Sequence, residues 1–180
     1  MKIYTKKGDK GQTGLFSGER VDKDDLRIVC NGELDEVNSS IGLLVAKLPE
    51  KHHWRQQLQK IQSDIMKLMS EIANPGNKGN KNIDNTLNTT EMIEQWMEKI
   101  NLKLGKKMNA LILPGGNEIS AYCHIVRTQT RRAERKIISL HKKTPLSDNL
   151  LAFINRLSDL FFMLALEEMH DNEITENKIK

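Results

Sequence analysis

Apolar residues recur at intervals of three and four in five separate stretches of the 180-residue chain, and this periodicity constrains the fold more than any other feature. Side chains at that spacing share one face of an α-helix, so each stretch carries a stripe that must be covered. In the first, from about Asp25 to Leu48, the stripe is Ile28, Leu34, Val37, Ile41, Leu44 and Leu48, and Pro49 ends it. The second carries Trp54, Leu58, Ile61, Ile65, Leu68 and Ile72 to about Ala73. A third bears Ile93, Trp96, Met97, Ile100 and Leu104, and Asn88 with Glu91 three residues on reads as its N-cap. The fourth runs from about Asn117 to His141 with Ile119, Val126, Ala133 and Leu140 at every seventh position. The fifth starts near Thr144 and Pro145 and continues through Leu150, Ile154, Leu157, Phe161 and Leu164.

The segments between these stripes break the pattern in different ways. Residues 1–24 hold Gly8, Gly11, Gly14 and Gly18 among lysines, with neither helical nor alternating order, and read as a functional loop or a loose tail. Residues 74–88 are dominated by Asn, Gly and Lys and predict a surface loop. NALILPGG reads as a short extended run through Leu113, after which Pro114, Gly115 and Gly116 turn the chain into the fourth helix. The end of the fifth helix frays over residues 171–180. With no long strand predicted, the architecture is all-α, a five-helix bundle in one domain over residues 1–170, its helices spanning 25–169.

Composition narrows the function by exclusion. Twenty-eight basic against 24 acidic residues leave a net charge of +4, too small an excess to indicate a nucleic-acid binder. Cys30 and Cys123 stand far apart outside any paired motif, which argues against a disulfide framework or a cysteine zinc site and predicts a reducing, cytoplasmic setting. The longest wholly apolar run, Leu160 to Leu166, predicts no membrane span. The eight methionines read as core filling.

Where the charge sits is more informative than its sum. VRTQTRRAER, from Val126 to Arg135, holds four arginines on a helix. At 100° per residue, His124, Arg127, Arg131, Glu134 and Arg135 fall within one broad face, away from Val126, Ala133 and Ile137. Arg127 and Arg131 are four apart, so their forked donors can converge on one polyanion, while Glu134 is positioned to pair with an arginine. The N-terminal glycines let backbone amides turn toward an anion, and Lys6, Lys7, Lys10 and Lys23 supply charge, although the spacing is not that of a P-loop. On the first helix Asp35, Asn38, Ser39 and Gly42 share a small, polar face from which a carboxylate could position an arginine. On the fifth, Asn155, Ser158, Asp159 and Phe162 share another, as a partly buried site or a polar seam between helices.

Taken in order, TKKGDKGQTGL, GERVDKDD, GELDEVNS, ILPGG, VRTQTRRAER and FINRLSDLFF resemble the motifs of the PduO-type cobalamin adenosyltransferases over about residues 2–167. The resemblance implies a ferritin-like up-down five-helix bundle, assembled as a homotrimer, that transfers the 5′-deoxyadenosyl group of ATP to cob(I)alamin and releases triphosphate. It implies ATP, Mg²⁺ carried on the triphosphate, and cobalamin as the small-molecule requirements, with a separate reductase supplying the electron. By position it assigns ATP binding to Thr5, Lys6, Lys7, Gly8, Asp9, Thr13 and Lys23 and to Arg131, Arg132, Glu134, Arg135 and Asn155. Arg127, Arg131 and Asp35 are the implied catalytic group, Arg127 and Asp35 as a salt bridge between subunits. On the corrinoid side, Leu111 stands where relatives carry a phenylalanine just before ILPGG, and Phe162 is the residue that could compensate. The alternatives are a non-catalytic ATP or corrinoid carrier on the same trimer, and an unrelated bundle whose basic helix binds an acidic partner.

Overall fold

The computed structural model describes residues 6, 8–15, 18–73, 83–105 and 112–174. Among them the chain forms two short strands, β1 (Gln12–Gly14) and β2 (Arg20–Asp22), followed by five helices: α1 (Leu26–Lys47), α2 (Arg55–Ala73), α3 (Ile83–Leu104), α4 (Glu118–His141) and α5 (Asp148–Asp171). The periodicity found α1, α2 and α4 to within a residue or two. Their starts are set by caps that satisfy first-turn N–H groups: Asp25 accepts from the Arg27 amide, and Asn117 from the Ser120 amide, each at 2.8 Å.

Three expectations need correction. Helix α3 begins at Ile83, so the stretch from Ile83 to Asn88 is helical, and Asn88 lies inside the helix rather than at its cap. Helix α5 is capped by Ser147, whose hydroxyl accepts from the Leu150 amide at 3.3 Å, and not by Thr144. The N-terminal segment is more than a loop: β1 and β2 pair antiparallel, with Thr13 opposite Val21. Leu15 and Val21 bury their side chains against Ala73 at the end of α2, with Ile28 of α1 packed alongside. Arg27 ties the hairpin down further, binding Asp25 at 2.9 Å and Glu19 at 3.2 Å.

Helix α4 lies between α1 and α5, α1 also packs on α2, and α5 also packs on α3. Most of the predicted stripe residues turn inward, Ile28, Met97, Leu104 and Ile119 being only partly buried, and Cys30, Cys123, Phe153 and Leu160 join them in a core whose largest fully buried side chains are Trp54, Phe153 and Phe161. By length and mean hydropathy α5 would suffice to cross a membrane, which the count of consecutive apolar residues missed, but more than half of that stretch is buried inside the bundle. Buried polar groups tie the outer helices down. Asp64 on α2 accepts Lys60, Lys67 and the Thr89 hydroxyl of α3 at 2.5–2.6 Å. Glu167 on α5 accepts the Trp54 indole N–H at 3.1 Å and Lys103 at 3.0 Å.

The turn into α4 depends on backbone that only glycine adopts freely. Gly115 and Gly116 have φ of 153° and 93°, and a Cβ on Gly116 would come within 3.0 Å of the Met169 side chain. This fixes the ILPGG turn against α5 at the head of the arginine-bearing helix.

Candidate nucleotide and corrinoid site

Placing α4 between two helices sorts its polar residues by direction. Toward α1, the Arg132 guanidinium binds Glu33 at 2.5 Å and also Glu36, and these two carboxylates hold its pKa above the ordinary arginine value. Gln129 donates to the same Glu36 at 3.0 Å. Glu33 and Glu36 went unnoticed in the sequence, although their three-residue spacing on α1 places them on one face. Toward α5, Glu134 accepts the Asn155 side-chain amide at 2.9 Å, so its partner is that asparagine and not an arginine. Arg156 donates to the Asn155 side-chain Oδ1 and to Glu94 of α3, both at 2.8 Å, which braces the asparagine from behind.

Between these flanks the helix presents a cationic ridge. Arg131 and Arg135 are exposed and form no ion pair among the described residues. Arg127 is partly buried, and its Nε–H meets no acceptor. Burial first, then the Arg131 charge, push the Arg127 pKa below its ordinary value. Two guanidinium groups four residues apart, one of them with an unmet buried donor, form an arrangement that an anionic ligand or a carboxylate from outside the chain would satisfy. Asp35, on α1, is exposed and unpaired among the described residues.

His124 departs from the predicted face. It is only 3% exposed, and its ring packs edge-to-face on Phe162 at 6.2 Å between centroids. The Arg127 guanidinium carbon lies 6.0 Å from the centre of that same Phe162 ring. The polar set on α5 splits likewise: Ser158 is buried and donates to the Asn155 backbone carbonyl at 3.1 Å, while Asn155 and Asp159 are exposed. Burial raises the Asp159 pKa, Glu134 adds to the rise, and Arg156 and Arg131 oppose it.

Where α1 begins, the hairpin shapes its glycine-rich turn. Gly11, at φ 82°, accepts the Lys23 amide at 2.8 Å, and the Lys23 ammonium would lie 3.5 Å from a Cβ on Gly8. Gly8, Asp9, Thr13 and Lys23 are therefore one small structure docked on the ends of α1 and α2. Thr5, Lys7 and Leu111 lie outside the described residues. Among the described residues no cluster of His, Cys, Asp or Glu could hold a metal ion. Burial pushes the Cys30 thiol up to about 11 and raises that of Cys123 further, which leaves both as inert core residues.

The fold is a five-helix bundle with a hairpin docked on α1 and α2 and an open guanidinium ridge on its central helix. The cobalamin adenosyltransferase family model matches residues 3–168, and the chain belongs to that family. It is 38% identical over 170 residues to the corrinoid adenosyltransferase of Bacillus subtilis (strain 168), covering 92% of this chain and 85% of that protein. It is 40% identical over 164 residues to the cobalamin adenosyltransferase of Cupriavidus metallidurans, covering 91% and 86%. The structure of a variant PduO-type ATP:corrinoid adenosyltransferase from Lactobacillus reuteri, complexed with cobalamin and ATP, matches with a TM-score of 0.88 and 29% identity over 99% of both chains.

Proposed function

We propose that the chain transfers the 5′-deoxyadenosyl group of ATP to the cobalt of a reduced corrinoid, giving adenosylcobalamin and triphosphate. The observation that carries this reading is the set of arginines on α4, Arg127, Arg131 and Arg135, that form no ion pair among the described residues, within a protein of this family. The cobalt(I) electron pair attacks C5′, the C5′–O bond breaks, and its electrons leave on the triphosphate oxygen. Negative charge therefore grows on a polyanion already present, and guanidinium groups fixed on a rigid helix stabilise that growth without reorganising. Arg131 and Arg135 are the triphosphate ligands in this reading, with Mg²⁺ carried on the triphosphate. Asn155, held by Glu134 and Arg156, reads the nucleoside. Arg132 is a brace that locks α4 to α1 through Glu33 and Glu36.

The working unit in this reading is a homotrimer. Ile125 on α4 and Leu43 on α1 are each 47% exposed, and covering such apolar surface favours association. The segment formed by residues 5–13 and Lys23 of one protomer would close over the arginine ridge of the next, and Asp35 would meet Arg127 across the boundary. Leu111 and Phe162 are the corrinoid-side residues. The site is taken to work in the cytoplasm with a separate reductase.

Purified protein given ATP, Mg²⁺ and chemically reduced cobalamin should form adenosylcobalamin, seen as a change in the visible spectrum. Replacing Arg131 by alanine should lower turnover by about 10²–10³-fold, the usual effect of deleting one donor to a developing charge. The helix itself should survive, because alanine is the better helix former. Tight ATP binding by the wild type without product would sink the catalytic reading and leave a carrier.

A further inference from the structure

Helix α4 carries a buried imidazole that the described residues do not satisfy. Among the described residues neither His124 Nδ1 nor Nε2 has a hydrogen-bond partner, and one turn earlier the Ser120 hydroxyl is likewise without one. A leucine in that place would bury as much surface without stranding two polar atoms, so packing alone does not account for a histidine. What the ring does touch is Phe162, edge-to-face, and the other group over Phe162 is Arg127, three residues further along α4. Phe162 is only partly buried, so its ring is held from the α4 side by an imidazole and a guanidinium while part of it remains open. Burial and the adjacent Arg127 charge both depress the His124 pKa and keep the ring neutral, so it adds no charge beside that arginine. An aromatic ring fixed between two groups has little freedom to tilt when a large planar ligand presses on its open side.

We propose that His124 is a positioning residue for the corrinoid half of the reaction, acting through Phe162, whose ring it holds at the angle the corrinoid meets. The inference rests on the assignment of Phe162 to the corrinoid side. His124 touches neither substrate, and its effect on the nucleotide is nil. The arrangement trades stability for geometry: the unsatisfied imidazole weakens the bundle and sets one ring.

The test uses the full-length protein and compares His124→Leu, Phe162→Ala and the double variant with the wild type. His124→Leu should raise the KM for cob(I)alamin about two- to tenfold, the size expected from one aromatic pair, and leave the KM for ATP unchanged. The same variant should melt roughly 2–4 °C higher, because it no longer buries unpaired nitrogens. A merely structural residue would not produce a more stable protein with a poorer corrinoid KM. In the Phe162→Ala background, adding His124→Leu should change the corrinoid KM no further. Should the leucine variant aggregate, His124→Gln supplies the KM comparison without the rise in melting point, since it keeps a polar group but removes the ring.

Multiplicative effects in the double variant, or equal rises in both KM values, or no rise at all, would overturn the proposal. If the wild type forms no adenosylcobalamin, the functional reading itself fails. Wild-type turnover with an unmoved corrinoid KM in His124→Leu sinks only this inference.

Discussion

Replacing Asp64 by alanine removes the one acceptor shared by Lys60, Lys67 and Thr89 between α2 and α3. The carboxylate is fully buried, whereas the two lysine side chains are 46% and 30% exposed. Deleting one partner of a buried ion pair costs about 3–5 kcal/mol when the other charge stays buried. Here both ammonium groups can swing into water, which places the loss near the lower end, about 3 kcal/mol, chiefly from the buried Thr89 hydroxyl losing this acceptor and from three charge-assisted bonds. For a chain of this size that is a fall of roughly 6–12 °C in the melting midpoint. Thermal melts followed by circular dichroism at pH 7 should show it, with Asp64→Asn falling in between, because the amide still offers one acceptor.

The pH dependence supplies a second arm. Burial pushes the Asp64 pKa up, but the hydrogen bonds from Lys60, Lys67 and Thr89 outweigh it, and the net direction is down. A depressed carboxyl contributes stability that is present above its unfolded value, about 3.9, and lost as the pH falls through the folded one. The gap between wild type and Asp64→Ala should therefore be constant from about pH 5 to 8 and close in acid below about pH 4. Activity per folded molecule at 25 °C should be unchanged, because the pin lies on α2 and α3, away from the α4 ridge. A midpoint within 2 °C of wild type at pH 7, or a deficit that persists unchanged at pH 3, would refute the reasoning.

Three further outcomes are expected. Gly116→Ala should destabilise by about 1–2 kcal/mol, because φ is 93° and Met169 occupies the Cβ position, and truncating Met169 should relieve only the contact and not the backbone strain, as read from melting midpoints. Arg132→Ala should lower the midpoint only slightly, because its pairs with Glu33 and Glu36 are solvent-screened. It should cut turnover far less than Arg131→Ala, and equal losses in the two variants would show that Arg132 is a phosphate ligand. Trp54→Phe should cost about 1–2 kcal/mol, because Glu167 loses a buried donor while keeping Lys103, and denaturant midpoints would register it.

Sequence periodicity determined the number of helices, most of the core residues and, for α1, α2 and α4, the bounds, because a stripe at three-to-four spacing has no other way to bury itself. The Asn-rich stretch hid the start of α3, since Asn and Thr are weak helix formers and only packing decides such a boundary. The hairpin was hidden for a similar reason: two three-residue strands carry too few side chains to show alternation, and they exist because Leu15 and Val21 find a surface on Ala73 and Ile28. In the site, the helical wheel gave the direction of each residue on α4 but not what stood opposite. Tertiary structure supplied that by putting α1 on one flank and α5 on the other. The same run of polar residues was thereby divided into a braced Arg132, a Glu134 tied to Asn155, a buried His124 and an open Arg131. Periodicity is a property of one helix, whereas partners and depth are properties of its neighbours, so the chain alone shows where its charges point and only the assembled bundle shows which of them remain free.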